Sequence, residues 1–191
     1  MKLRKNAAHG LLLTSTPCLT KFPQDQINFE NNDCHVILEG YVLNHQALLD
    51  KHPGQCLREI LLEAYQTGGM ATALNLLRGS FVLAIHDQAA GVTCIGNDML
   101  SKKPLYYRLD STSLMADTSF QALVRASAAS GLPMTIHQAA VNQMLERCSF
   151  LESDTYVSEI RFLEPFVYLR ADADGLSAVR FDYQQPEPCP E

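Results

Sequence analysis

Leu77-Arg78-Gly79-Ser80-Phe81-Val82-Leu83-Ala84-Ile85-His86-Asp87 is the stretch that decides the fold. Residues 81–85 are apolar at every position. A strand there would be apolar on both faces, so it must be covered on both sides. Residues 87–91 supply turn chemistry, and residues 92–95 form a second apolar run, which predicts a hairpin. Leu105-Tyr106-Tyr107 and residues 113–116 read as two more strands, joined through Asp110-Ser111-Thr112. Residues 166–171 and 176–183 bracket Asp172-Ala173-Asp174-Gly175, whose Asp-Gly pair is a strong hairpin signal.

Helices lie between these hairpins. Leu57, Ile60, Leu61, Ala64 and Tyr65 share one face of a helix over about residues 55–66, which Gly68-Gly69 should end. Met70, Leu74 and Leu77 suggest a second helix before Arg78-Gly79. Asn44 can cap a short helix through Ala47, Leu48 and Leu49. Thr118 or Asp117 can cap a helix carrying Phe120, Leu123 and Val124. Thr135 can cap another, with Ile136, Ala140, Val141, Met144 and Leu145 on its apolar side. Near the start, Ile27 and Phe29 alternate with polar neighbours and residues 34–38 are apolar. Both suit strands, with Asn31-Asn32-Asp33 as the turn. Paired strands and paired helices favour an α+β arrangement over strict βαβ alternation. Residues 1–183 read as one domain, and the Pro- and Glu-rich residues 184–191 as a tail or linker.

Composition narrows the class. Of 191 residues 47% are hydrophobic and 19% charged, a globular balance with enough length for a real core. A net charge of -6 argues against a nucleic-acid binder, which needs a basic footprint. The basic start Met1-Lys2-Leu3-Arg4-Lys5 is followed only by Leu11-Leu12-Leu13, too short for an export segment. No run approaches the ~20 apolar residues of a membrane span. The six cysteines form no CxxC pair, and His45, His52, His86 and His137 have no ligand spacing. The expectation is a cytoplasmic protein with reduced thiols, no metal, no cofactor and no membrane partner.

The stretch quoted first belongs to a longer pattern. Asn97-Asp98-Met99-Leu100-Ser101-Lys102-Lys103-Pro104-Leu105-Tyr106-Tyr107 follows it. Together they resemble the LRGxFAFAxWD and RDxxGxKPLYY segments of the glutaminase domain of asparagine synthetases, the class II glutamine amidotransferases. VILEGYVLNHQALL, residues 36–49, is similar to that family's VxxNGEIYNYxEL. Residues 56–65 are similar to its SDTEVLLxAY helix, residues 114–123 to LxFASExKAL, and residues 160–169 to IxxLPPGxxL. Residues 36–183 follow the family order. The resemblance implies a four-layer αββα sandwich of the N-terminal-nucleophile (Ntn) type.

It also implies chemistry that this sequence does not support. The family attacks glutamine with an N-terminal cysteine whose own amine is the base. Here residue 2 is Lys2, and the first cysteine is Cys18. The family's oxyanion donors are the Asn and Gly of NGE. Gly40 is kept, but Glu39 stands at the Asn position, and a carboxylate repels a developing oxyanion. The Asp of SDTE, which holds the substrate amine, is matched by Leu57. The loop that carries the family's carboxylate-binding Arg has no counterpart in the 38 residues before Glu39.

The expected role is therefore a non-catalytic, pseudoenzyme form of the domain. It would be a scaffold or partner for an ATP-dependent amide-forming synthetase domain or subunit. The synthetase's SGGxDS loop is absent from these residues, so the chain reads as a fragment or one subunit of a split pair. Homo-oligomerisation stays open. One alternative is a divergent Ntn amidohydrolase with Cys18 as a processed nucleophile. The other is a small-molecule-binding regulatory domain that reuses the pocket around Glu39, Gly40 and Leu57. Asp98, Lys102, Lys103 and Tyr106 mark a turn that would face a partner.

Overall fold

The computed structural model describes residues 10–14, 27–30, 34–110, 113–150 and 153–183. The turns expected around residues 31–33 and 111–112, the tail 184–191 and Cys18 lie outside the described residues.

The quoted stretch forms β4 (Gly79–Asp87), and its side chains alternate between two cores. Phe81, Leu83 and Ile85 pack on one side; Val82 and Ala84 pack on the other. That is the two-sided burial expected from its unbroken apolar run.

β4 lies inside a six-stranded sheet with β2 (Ile27–Glu30), β3 (Cys34–Val42), β5 (Val92–Asn97), β9 (Val167–Asp172) and β10 (Gly175–Arg180). The order is β10-β9-β5-β4-β3-β2, antiparallel throughout. The second sheet has the order β1-β7-β6-β8, from β1 (Gly10–Thr14), β6 (Tyr106–Leu109), β7 (Ser113–Asp117) and β8 (Arg161–Phe162). Its β1 runs parallel to β7, in register from Gly10 with Ser113 to Thr14 with Asp117.

Three apolar clusters order the layers. The first joins Leu57, Ile60, Leu61, Met70, Ala73 and Leu74 of α2 (Leu57–Leu76) to Phe81, Leu83 and Ile85. The second lies between the sheets and includes Val82, Ile95, Leu114, Ala116 and Leu169. The third joins Met115, on the far face of β7, to Leu123 of α3 (Phe120–Ala129). Helix, sheet, sheet and helix thus stack in sequence, the αββα sandwich expected. Each fully buried Leu, Ile or Phe contributes roughly 1.5–3 kcal/mol of transfer free energy. Among the described residues no helix is long and apolar enough to cross a membrane.

The helix ends refine the sequence reading. α2 is continuous in outline but broken at Gly69, at φ 74° and ψ -169°. The two helices expected on either side of Gly68-Gly69 are its two halves. α3 is capped by Ser119, whose hydroxyl accepts from the Ala122 amide at 3.3 Å, and by neither Thr118 nor Asp117. Asp117 instead accepts from the Ser119 amide at 2.7 Å, one step before the helix. Thr135 does not cap α4 (Gln138–Arg147). Its amide donates to Glu159, and Ile136 bridges to Val157 in extended conformation, so the helix starts later than expected. Ile136 is therefore not on the helix, and Leu145 stays largely exposed.

Asn44 precedes α1 (His45–Lys51) without capping it through its side chain. Its carboxamide reaches across the chain instead. Nδ2 donates to the Leu76 carbonyl at 2.9 Å, and Oδ1 accepts from the Arg78 amide at 2.8 Å. Asn44 thus ties the end of β3 to the α2–β4 junction. Asn44→Ala should lower stability by about 1–2 kcal/mol, two half-buried hydrogen bonds being lost. Urea denaturation checks this, and an unchanged midpoint would show that water replaces both bonds without loss.

Candidate functional site

The alternation along β3 decides where the resemblance-derived pocket residues point. Val36, Leu38 and Val42 face the α2 layer. Glu39 therefore faces the second sheet, in line with Val82 and, one strand further, Asn97. Its carboxylate is 10% exposed and meets the Lys103 amine at 2.8 Å. The Thr118 hydroxyl donates to the same oxygen at 3.4 Å. This buried ion pair is the centre of the site.

Lys103 is delivered there by the loop after β5, and Asp98 builds that loop. The Asp98 amide donates to the Phe81 carbonyl at 2.9 Å. Its Oδ1 accepts from the Leu100 and Lys102 amides, at 3.2 and 3.0 Å. Its Oδ2 accepts from the Lys103 amide at 2.8 Å and, at 3.3 Å, from that of Phe81. A buried carboxylate that collects several backbone N–H donors is well satisfied without a cation. Asn97 adds a bond from Nδ2 to the Lys103 carbonyl at 3.0 Å. The loop is thus held by its own side chains, and the Lys103 amine is directed inward.

Of the four turn residues, Asp98 and Lys103 are occupied inside the protein. Tyr106 is half-buried, edge-on to Phe120 and Phe162, and burial raises its hydroxyl's pKa. Lys102 is exposed. A partner at this turn would meet Lys102 and the exposed Leu100.

Gly40 follows Glu39 at φ 139° and lies hard against β4. Leu57 is not brought to the ion pair. It opens α2 and packs into the first apolar cluster, on the opposite face of the six-stranded sheet. The Cys56-Leu57-Arg58-Glu59 segment is a helix start. The Glu59 carboxylate accepts from the Cys56 amide at 2.8 Å, which holds its pKa below the usual carboxylate range. This is capping-box geometry, with Cys56 in the Ser position.

Nothing in the sequence marks Thr118 or Asn97 as a site residue. Thr118 reads there as a helix cap. Only the closure of the second sheet over the first brings it to Glu39. Among the described residues no group of three His, Cys, Asp or Glu side chains could hold a metal ion.

Chemically, the pair is self-neutralising. Glu39 presents an acceptor, and Lys103 already donates to it.

These features define an αββα sandwich of the Ntn type. Residues 20–182 match the family model of the glutamine amidotransferase domain, and the chain belongs to that family. Among solved structures it is similar to glutamine phosphoribosylpyrophosphate (PRPP) amidotransferase from B. subtilis, complexed with ADP and GMP, at 14% identity and TM-score 0.53. It is also similar to a structure described as the allosteric regulatory enzyme of purine biosynthesis, at 16% identity and TM-score 0.53. Each match covers 83% of this chain and 31% of the other. The chain thus spans about a third of those proteins, and at these identities the likeness concerns the fold. No curated protein sequence matches it.

Proposed function

We propose that this chain is a glutamine amidotransferase domain of the asparagine synthetase type that no longer hydrolyses glutamine. It serves as scaffold or partner for an ATP-dependent amide-forming synthetase half. The observation that carries this reading is the Glu39–Lys103 ion pair. Glutamine hydrolysis develops negative charge on the carbonyl oxygen, and the site must offer it hydrogen-bond donors. Glu39 offers a carboxylate instead. Lys103 cancels that charge but is held at 2.8 Å by it, so the pair supplies no net positive field. Leu57, buried on the other side of the sheet, offers no charge for the substrate amine. The asparagine synthetase affinity rests on the ordered segments from residue 36 to residue 183. An intact sandwich with a cancelled centre suits a part retained for its surface.

The test has two arms. The purified chain, incubated with glutamine, should release no ammonia above the background of its Cys18→Ala variant. Release that depends on Cys18 would overturn the non-catalytic reading and favour a processed nucleophile. Coexpression with the synthetase half encoded nearest to it should yield a co-eluting complex, and separate elution would remove the scaffold role.

A further inference from the structure

β10 is the outermost strand of the six-stranded sheet, and its register shows which of its backbone groups are already bonded. The Phe181 amide donates to the Phe166 carbonyl at 2.9 Å. Those two residues continue the pairing that sets Gly175 opposite Asp172 and Arg180 opposite Val167. Along an antiparallel ladder, successive residues turn their N–H and C=O to opposite sides. Gly175, Ser177 and Val179 therefore bond to β9, as Phe181 does. Leu176, Ala178 and Arg180 turn their N–H and C=O away from it. Among the described residues no other group takes these amides and carbonyls.

An open edge of this kind is a template for another strand, and proteins commonly blunt it with Pro, Lys or a bulge. β10, Gly175-Leu176-Ser177-Ala178-Val179-Arg180, has neither Pro nor Lys, and its pairing with β9 runs without a bulge. Ser177, Ala178 and Arg180 are exposed, so a second strand can approach. The edge is also held in place. The Phe181 ring packs against Phe166 and Tyr168, with centroids 6.3 and 6.1 Å apart. The Asn75 carboxamide donates to the Asp182 carbonyl at 3.0 Å. A strand fixed in this way loses little conformational entropy on pairing.

The strand is complementary to itself. With a twofold axis at Ser177, Leu176 of each copy lies opposite Ala178 of the other. Both residues present their backbone groups outward, so these pairs form about four hydrogen bonds. Ser177 meets Ser177 of the second copy in the non-bonded position between them, where side chains come closest and a small hydroxyl fits. The same register sets Arg180 opposite the exposed Asp174 of the second copy, unlike charges at both ends. An axis at Ala178 would instead oppose Asp174 to Asp182, two like charges. Arg180 also reaches Glu164 at 3.1 Å, but both side chains are largely exposed and such a contact is weak.

We propose that β10 pairs with β10 of a second copy, antiparallel about Ser177, and joins the two six-stranded sheets into one. Three strands separate β10 from β3, which carries Glu39, so the inference stands apart from the role proposed for the Glu39–Lys103 centre.

Sedimentation equilibrium of the full chain over ~1–300 µM tests it. A dimer should form with a Kd on the order of 10–100 µM. Ala178→Pro removes an outward N–H and no bond to β9. It should weaken the dimer at least ~10-fold, while the dilute variant melts within about 5 °C of wild type. Arg180→Asp should weaken it by ~3-fold or more, and adding Asp174→Arg to that variant should restore it. Hydrogen exchange needs no variant. Raising the concentration through the transition should slow the Leu176, Ala178 and Arg180 amides at least ~5-fold. A chain that stays monomeric at ~300 µM overturns the proposal. A dimer whose amides at those positions exchange unchanged does so too, as does one that Ala178→Pro leaves equally tight. Failure of the paired charge reversal to restore the dimer overturns the Ser177 register.

Discussion

Lys103→Met is expected to lower the stability of the protein by about 2–3 kcal/mol, because it strands a buried carboxylate. Glu39 is 10% exposed and Lys103 15% exposed, and their charged atoms are 2.8 Å apart. Removing one member of a fully buried pair typically costs about 3–5 kcal/mol, since the other charge stays out of water without compensation. The residual solvent contact of both groups places this pair below that range. Thr118 alone, at 3.4 Å, cannot replace an ammonium. Glu39→Gln combined with Lys103→Met should recover most of the loss, because neither charge is then buried. Urea unfolding of the wild type, both single variants and the double variant forms the required cycle. A coupling near zero would show that the two groups are solvated independently. It would also remove the ion pair as support for the proposed non-catalytic role.

Gly40→Ala should be at least as damaging, by about 3 kcal/mol or more. Gly40 adopts φ 139°, where an L side chain is strained. A Cβ there would lie 2.3 Å from the Ser80 carbonyl oxygen and 2.6 Å from the Phe81 Cα. Both are backbone atoms of β4, and neither can move without disturbing the centre of the sheet. Gly91→Ala is the control. Gly91 also has positive φ, at 65°, but a methyl group there would meet nothing within 4 Å. It should lose only about 1 kcal/mol. Urea unfolding of the two variants side by side makes the comparison. Equal losses at the two sites would show that conformation alone matters and that the close approach of β3 to β4 relaxes freely. The result bears on the proposed function, in which Gly40 is the one residue that matches the family's oxyanion motif. Packing against β4 by itself requires a glycine there.

Much of the fold was legible because its signals are local. The unbroken apolar run at residues 81–85 specified a strand buried on both faces, and β4 is one. Asp172 to Gly175 specified the hairpin that joins β9 to β10. Gly69 specified the break in α2. Structure and sequence pattern part at residues with two local uses. Thr135 and Ile136 looked like a helix start, yet Glu159 and Val157 hold them extended. Asn44 looked like a cap, yet its carboxamide has better partners more than 30 residues away. Nothing in the sequence announces β1. Its partner β7 lies about 100 residues on, and parallel pairing leaves no turn signal in the sequence.

The site divides in the same way. Period-two and helical patterns, turn residues and motif order act over a few neighbours, so the sequence by itself determined the sandwich and the glutamine amidotransferase family, and it put a carboxylate at residue 39. It could not say what a carboxylate at that position would meet. Lys103 lies 64 residues further on and reads as one of two solvated lysines on a turn. Only the tertiary structure decided that Asp98 folds the turn inward and that the Lys103 amine ends on Glu39. The physical reason is burial. Closing the second sheet over the first removes Glu39 from water, and a carboxylate so enclosed requires a partner that local sequence does not provide.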